Sequence, residues 1–190
     1  MDRDALIAEM RRARDLEMSD DPAGAREIYE SLRLRAPYLP EPAVRLGYLS
    51  VEDGDHSRAI AQFTDALPLE PKLGAPHVLC MRARSYLALG RIDDAARDVE
   101  TALDYDPGSP STLMMHARIL RLMARDREAR VVVDELLAFQ THPDALELSA
   151  ELYERAGDAT AAARDRARAA ELVSATDMRG LLNRFWKPRK

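Results

Sequence analysis

Four histidines and one cysteine are the side chains of this sequence best suited to acid–base, nucleophilic or metal chemistry. Their spacing serves none of it. His56, His77, His116 and His142 do not pair at metal-ligand intervals, and Cys80 is the only thiol. A single cysteine also excludes an intramolecular disulfide. His56 and His142 fall in turn-like stretches and His116 in a helical one, the places of solvated or packed side chains. Glu147, Glu151 and Glu154 recur at helical spacing, the pattern of a solvated face. The sequence has no glycine-rich phosphate loop and no nucleophile elbow. The expectation is a chain that is not an enzyme and needs no metal or cofactor. What chemistry remains is recognition, and the elements that would carry it are repeated.

The repeat is a small residue, a turn residue seven later, and an alanine five after that. It appears as Ala13, Asp20, Ala25, then as Gly47, Gly54, Ala59. It returns as Ala83, Gly90, Ala95, as Ala117, Ala124, Ala129, and as Ala150, Gly157, Ala162. Successive copies are offset by 34, 36, 34 and 33 residues, and the three columns shift together. A fixed period of this size marks a helical solenoid, whose stacked units present a surface to a partner.

Within each period the sequence reads as two helices and a tight turn. Ala43, Leu46, Gly47, Ser50 and Val51 share one helical face. Gly54 is suited to a left-handed helix end, and Ala59, Ile60, Phe63, Ala66 and Leu67 resume at helical spacing. Pro68 and Pro71 stop that second helix. Val131-Val132-Val133 alone would favour a strand, but the repeat phase puts Val133 in the slot of Phe63 and Val99, so a helix is predicted. Alanine or glycine in the small columns lets helices cross closely, while Tyr29, Phe63, Val99 and Val133 fill space toward the next unit.

Composition agrees with this architecture. The chain has 190 residues, 46% hydrophobic and 5% aromatic, an ordinary share for a folded helical protein. The net charge of −5 gives no overall pull toward nucleic acid or an anionic membrane. The only lysines are Lys72, Lys187 and Lys190. The arginine excess fits a GC-rich, bacterial-like coding bias, or selection for carboxylate-binding forks. No apolar signal segment follows the charged Met1-Asp2-Arg3-Asp4, and no stretch is apolar enough to span a membrane, so a cytoplasmic protein is expected.

The column order of small residue, glycine, alanine, aromatic or valine, alanine and proline resembles the tetratricopeptide repeat. Ala59, Phe63, Ala66 and Pro71 match its second helix, as do Ala25, Tyr29, Leu32, Pro37 and Ala95, Val99, Ala102, Pro107; Leu46-Gly47 matches its first-helix pair. Arg12 and Arg82 stand where that family usually has leucine, and Arg166 replaces the aromatic of the fifth copy. The resemblance implies an all-α, right-handed superhelix of five hairpins. It spans one domain, 1-190, with repeats at about 6-39, 40-75, 76-109, 110-142 and 143-175. A capping helix at 176-186 and a short basic tail at 187-190 follow. The cap would bury Leu181, Leu182, Phe185 and Trp186 against the last repeat; the alternative is an interfacial anchor or docking tag.

The resemblance also implies a groove lined by the first helices. Carried over place by place, its ninth position reads Arg14, Tyr48, Arg84, Arg118 and Glu151, a mostly basic line. Arg45 and Arg121 fall nearby, with Met10, Met81, Met114 and Met115 as adaptable apolar contacts. Such arginines would grip ligand carboxylates bidentately, or else bridge acids of neighbouring helices. The lysine and asparagine clamp with which some members hold a chaperone tail is missing, and Asn183 is the only asparagine. The expected function is a non-catalytic adaptor or scaffold that binds an acidic peptide or protein segment in the groove. Nucleic acid and membrane are not expected partners, and the chain would be a monomer or weak homo-oligomer. A secretion or assembly chaperone for apolar segments and a self-associating scaffold are the alternatives.

Overall fold

The computed structural model describes residues 3–69 and 74–185, with side chains described as far as residue 175 in the last helix. Over these residues the chain is helical throughout, with no strand. The elements are α1 (Arg3–Met18), α2 (Pro22–Arg35), α3 (Pro40–Glu52), α4 (His56–Ala66), α5 (Ala75–Ala88), α6 (Ile92–Tyr105), α7 (Pro110–Leu122), α8 (Asp126–Phe139), α9 (Pro143–Arg155) and α10 (Ala159–Phe185). A 3₁₀ turn, Leu67–Leu69, follows α4. The valine run lies inside α8, as the repeat phase predicts. Odd and even helices pack as hairpins. The chain divides into two compact units, Met1–Pro107 with three hairpins and Gly108–Lys190 with two.

One turn geometry recurs in all five hairpins. Asp20, Gly54, Gly90, Ala124 and Gly157 all adopt positive φ, between 58° and 81°. The next N–H in each donates five residues back, as in Asp55 to Ser50 (2.8 Å) and Arg125 to Leu120 (2.9 Å). These bonds satisfy carbonyls that the helix end would leave orphaned. Asp21, Asp55 and Asp158 then cap the following helix by accepting from the N–H three residues on. Proline opens α2, α3, α7 and α9, where its missing N–H costs nothing.

The core follows the same columns. Ala13, Ala83, Ala117, Ala150 and their second-helix counterparts Ala25, Ala59, Ala95 and Ala129 have no exposed surface, nor do Tyr29, Phe63, Val99 and Val133. At Gly47 the reason for a small residue is direct, because a Cβ there would sit 2.4 Å from Phe63 Cε1. Burying a ring such as Phe63 contributes about 2–3 kcal/mol, provided the crossing stays this close.

Beside Phe63 and Val99 runs a buried polar column, Gln62, Asp98 and Asp165. It accounts for Arg82. That guanidinium binds Asp98 through two hydrogen bonds (2.8 and 2.6 Å), and Thr64 Oγ1 at 2.9 Å. The Asp98 carboxylate raises the arginine pKa further above its ordinary value. Ser149 meets Asp165 in the same way at 2.7 Å. Gln62 accepts from Ser50 at 2.8 Å. Of the two remaining departures, Arg12 is exposed, and Arg166 is exposed and held by Glu154 at 2.8 Å.

The segment expected to form a separate cap continues the fifth hairpin instead. α10 runs unbroken from Ala159 to Phe185. Earlier second helices stop at prolines such as Pro37 and Pro107, whereas Ser174-Ala175-Thr176 leaves the hydrogen-bond ladder intact. The expected burial of Leu181, Leu182, Phe185 and Trp186, and the tail at 187-190, lie outside the described side chains.

Candidate functional site

The first helices of the amino-terminal unit, α1, α3 and α5, bring together most of the expected groove residues of that half. Arg14 on α1 donates to Glu41 of α3 through Nε at 3.0 Å. Arg45 on α3 returns the contact to Glu17 of α1 at 3.1 Å. Met10 is buried among Leu6, Ala13 and Leu46 and is a core residue. The α1–α3 step therefore consumes its own charges.

The α3–α5 step is different. Tyr48, His77, Met81 and Arg84 line an open depression of ≈ 530 Å³ together with Arg45, Glu17 and Glu52. Tyr48 is held from beneath by an edge-on contact with Phe63, centroids 5.7 Å apart. Its ring also lies 5.9 Å from that of His77, with the Arg45 guanidinium 5.9 Å from its centroid. Met81 is half-buried against the cluster around Phe63 and Val78. Arg84 is exposed and has no carboxylate within ion-pair distance among the described residues. A guanidinium so placed, beside a fixed aromatic edge and a methionine, can take one ligand carboxylate and one apolar side chain.

In the carboxy-terminal unit the expected groove arginines are paired. Arg118 Nη2 lies 3.3 Å from Asp144, and Arg121 Nε lies 3.3 Å from Glu151. Met114 is half-buried and lines a small, mostly apolar depression with Pro110, Leu136 and His142. Met115 is half-buried on the same helix. His142 caps α9 by accepting from the Asp144 N–H at 3.2 Å.

The pairing follows a rule. A ninth-place arginine meets an acid in the second place of the next first helix, as in Arg14–Glu41 and Arg118–Asp144. α5 itself carries no Asp or Glu, and α9 carries Asp144, Glu147, Glu151 and Glu154. Among the described residues, no group of three or more His, Cys, Asp or Glu could hold a metal ion. None of the described helices is long and apolar enough to cross a membrane.

Residues 76–109 match the family model of the tetratricopeptide repeat. No curated protein matches the sequence. Solved structures share the fold at low identity. MamA is 14% identical with a TM-score of 0.79, over 87% of this chain and 96% of its own. YrrB, described as a tetratricopeptide-repeat protein with an unusual peptide-binding site, is 14% identical at 0.74, over 87% and 85%. PilF of Pseudomonas aeruginosa is 19% identical at 0.74, over 88% and 76%.

Proposed function

We propose that this tetratricopeptide-repeat protein is a non-catalytic adaptor that holds an extended peptide or protein segment against the α3–α5 step of its amino-terminal unit. The observation that carries the reading is Arg84, exposed beside Tyr48, His77 and Met81 and without an internal carboxylate among the described residues. Its charge selects a carboxylate-bearing segment, and Tyr48 with Met81 selects an apolar neighbour of that carboxylate. The peptide-binding site described for YrrB gives a precedent in the same fold. Arg14, Arg45, Arg118 and Arg121 support helix stacking in this reading and are not ligand contacts.

The apolar depression around Met114 favours a second use of the carboxy-terminal unit, holding an apolar side chain of a client, as a secretion or assembly chaperone would. The two uses separate in one experiment. Immobilised wild type and an Arg84→Glu variant are challenged with lysate, and melting is followed in parallel. The adaptor reading expects a defined partner lost from the variant, with melting unchanged. Several apolar clients retained by both proteins would contradict it.

A further inference from the structure

We propose that the segment held at the α3–α5 step is bipolar: it gives a carboxylate to Arg84 and, about two to four residues away, a cation to Glu52. The inference rests on the function proposed above and adds the second charge that the occupant must carry. The charged lining of the depression is two arginines, Arg45 and Arg84, and two glutamates, Glu17 and Glu52. One of each is spent internally. Glu17 takes the Arg45 guanidinium with both oxygens, Oε1 accepting from Nε at 3.1 Å and Oε2 pairing with Nη2. With that fork filled, the exposed Glu52 carboxylate has no hydrogen bond or ion pair among the described residues. Arg84 is in the same position, so one cation and one anion of a single depression are left open.

The two do not close on each other because they stand at different heights. Arg84 is the repeat equivalent of Tyr48, 36 residues on. Glu52 lies one turn further along α3 than Tyr48, about 6 Å toward the hairpin turn. Neighbouring helices pack about 8–10 Å apart, which separates the two places by on the order of 10 Å. An extended segment rises ~3.3 Å per residue, so an acid and a base about two to four residues apart reach both. Tyr48 and Met81 line the same depression and take the apolar side chain carried with them.

The acidic side continues beyond Glu52. An adjoining depression of ≈ 260 Å³ shares Glu17 and Glu52 and adds Met18 and Asp20, with no lysine or arginine in its lining. The Asp20 side chain is exposed and, like Glu52, has no ion pair among the described residues. This face of the amino-terminal unit is thus positive at α5 and negative toward the α1–α2 turn. A uniformly acidic segment would set its own charges over Glu52 and Asp20 and be repelled, and a uniformly basic one would meet Arg84. An acid and a base in one segment satisfy both ends.

The test uses the full chain and a library of twelve-residue synthetic peptides with a fixed Asp-Leu pair and every other place randomised. Wild type is expected to enrich Lys or Arg about threefold at two to four residues from the Asp, the gain of one exposed ion pair. Glu52 is exposed, so exchanging it should leave melting unchanged. Glu52→Gln should keep the Asp-Leu selection and lose the basic enrichment, and Glu52→Lys should enrich Asp or Glu at the same places. No basic enrichment by wild type, or an enrichment that survives in Glu52→Gln, would overturn the bipolar occupant and leave the role of Arg84 standing. A second library with Asn-Leu in place of Asp-Leu separates the two failures. Equal capture from both libraries, or capture from neither, would overturn the role of Arg84 and the bipolar occupant with it.

Discussion

The α3–α5 step of the amino-terminal unit and the α7–α9 step of the carboxy-terminal unit are built from the same repeat, yet they spend their charges differently. In α7–α9 both arginines face acids of the next first helix, Asp144 and Glu151. In α3–α5, Arg84 is carried by α5 itself, the Glu41 of α3 is taken by Arg14, and Arg84 lies beside Tyr48, His77 and Met81 with no ion pair among the described residues. An arginine line in a repeat protein is therefore not in itself a ligand site. Whether an acid lies within reach decides whether a guanidinium braces the stack or is left available to a ligand.

The largest effect expected tests what holds α5, and with it Arg84, in position. Asp98→Ala strands the half-buried Arg82 guanidinium beside an emptied buried site and should cost about 3–5 kcal/mol in a denaturant titration. Exchanging Arg82 and Asp98 together for leucines should recover most of the loss, because no unpaired charge remains. If the single variant melts like wild type, the buried pair does not secure α5.

Gly47→Leu should cost about 3 kcal/mol, because even a Cβ at that place collides with Phe63. Phe63 supports Tyr48, so partner capture should fall with stability. An unchanged melting temperature would refute the close crossing.

The charges come next. Arg84→Glu should weaken capture of an acidic partner more than tenfold, as loss of a charge-assisted contact of about 1.5–3 kcal/mol implies, with melting unchanged. Arg118→Glu should do the reverse, leaving capture intact and lowering stability by less than about 1 kcal/mol, since its pair with Asp144 is exposed. Matching losses of capture from both variants would erase the difference between the two steps.

Acid titration should give the smallest effect. Hydrogen bonds from Arg35, Arg91, Arg125 and Arg166 hold Glu9, Asp94, Glu128 and Glu154 below their ordinary carboxylate pKa values. A depressed folded pKa contributes stability that is present above the unfolded value and lost as pH falls through the folded one. Melting should therefore be level down to about pH 5 and decline shallowly below about pH 4.5, less so at high salt. A melting temperature that stays level below pH 4 would show that these pairs contribute nothing to stability.

Much of this was legible in the sequence. The turn column marked by Asp20, Gly54, Gly90, Ala124 and Gly157 is the column of positive φ, including its two residues with side chains. The alanine columns are the fully buried crossings. Arg82 was harder, because its partner lies across the hairpin at Asp98, sixteen residues on; the Ser149–Asp165 pair at the same separation is the signal that could have found it. The groove was read only from the helix that carries each arginine. Aligning the acids of the facing helices would have separated Arg118 and Arg121 from Arg84. Met10 shares the spacing of Leu6 and Ala13, and that periodicity already places it in the core. The missing proline near Ser174 was visible, but a continuous α10 follows only when nothing else in 174–176 can end a helix.

The most direct test of the central claim is a peptide array probed in parallel with wild type, Arg84→Gln and Arg118→Gln. The account predicts that wild type selects peptides carrying a carboxylate next to an apolar or aromatic residue, that Arg84→Gln loses them, and that Arg118→Gln keeps them. Acidic peptides bound equally by all three proteins, or lost equally from both variants, would contradict it.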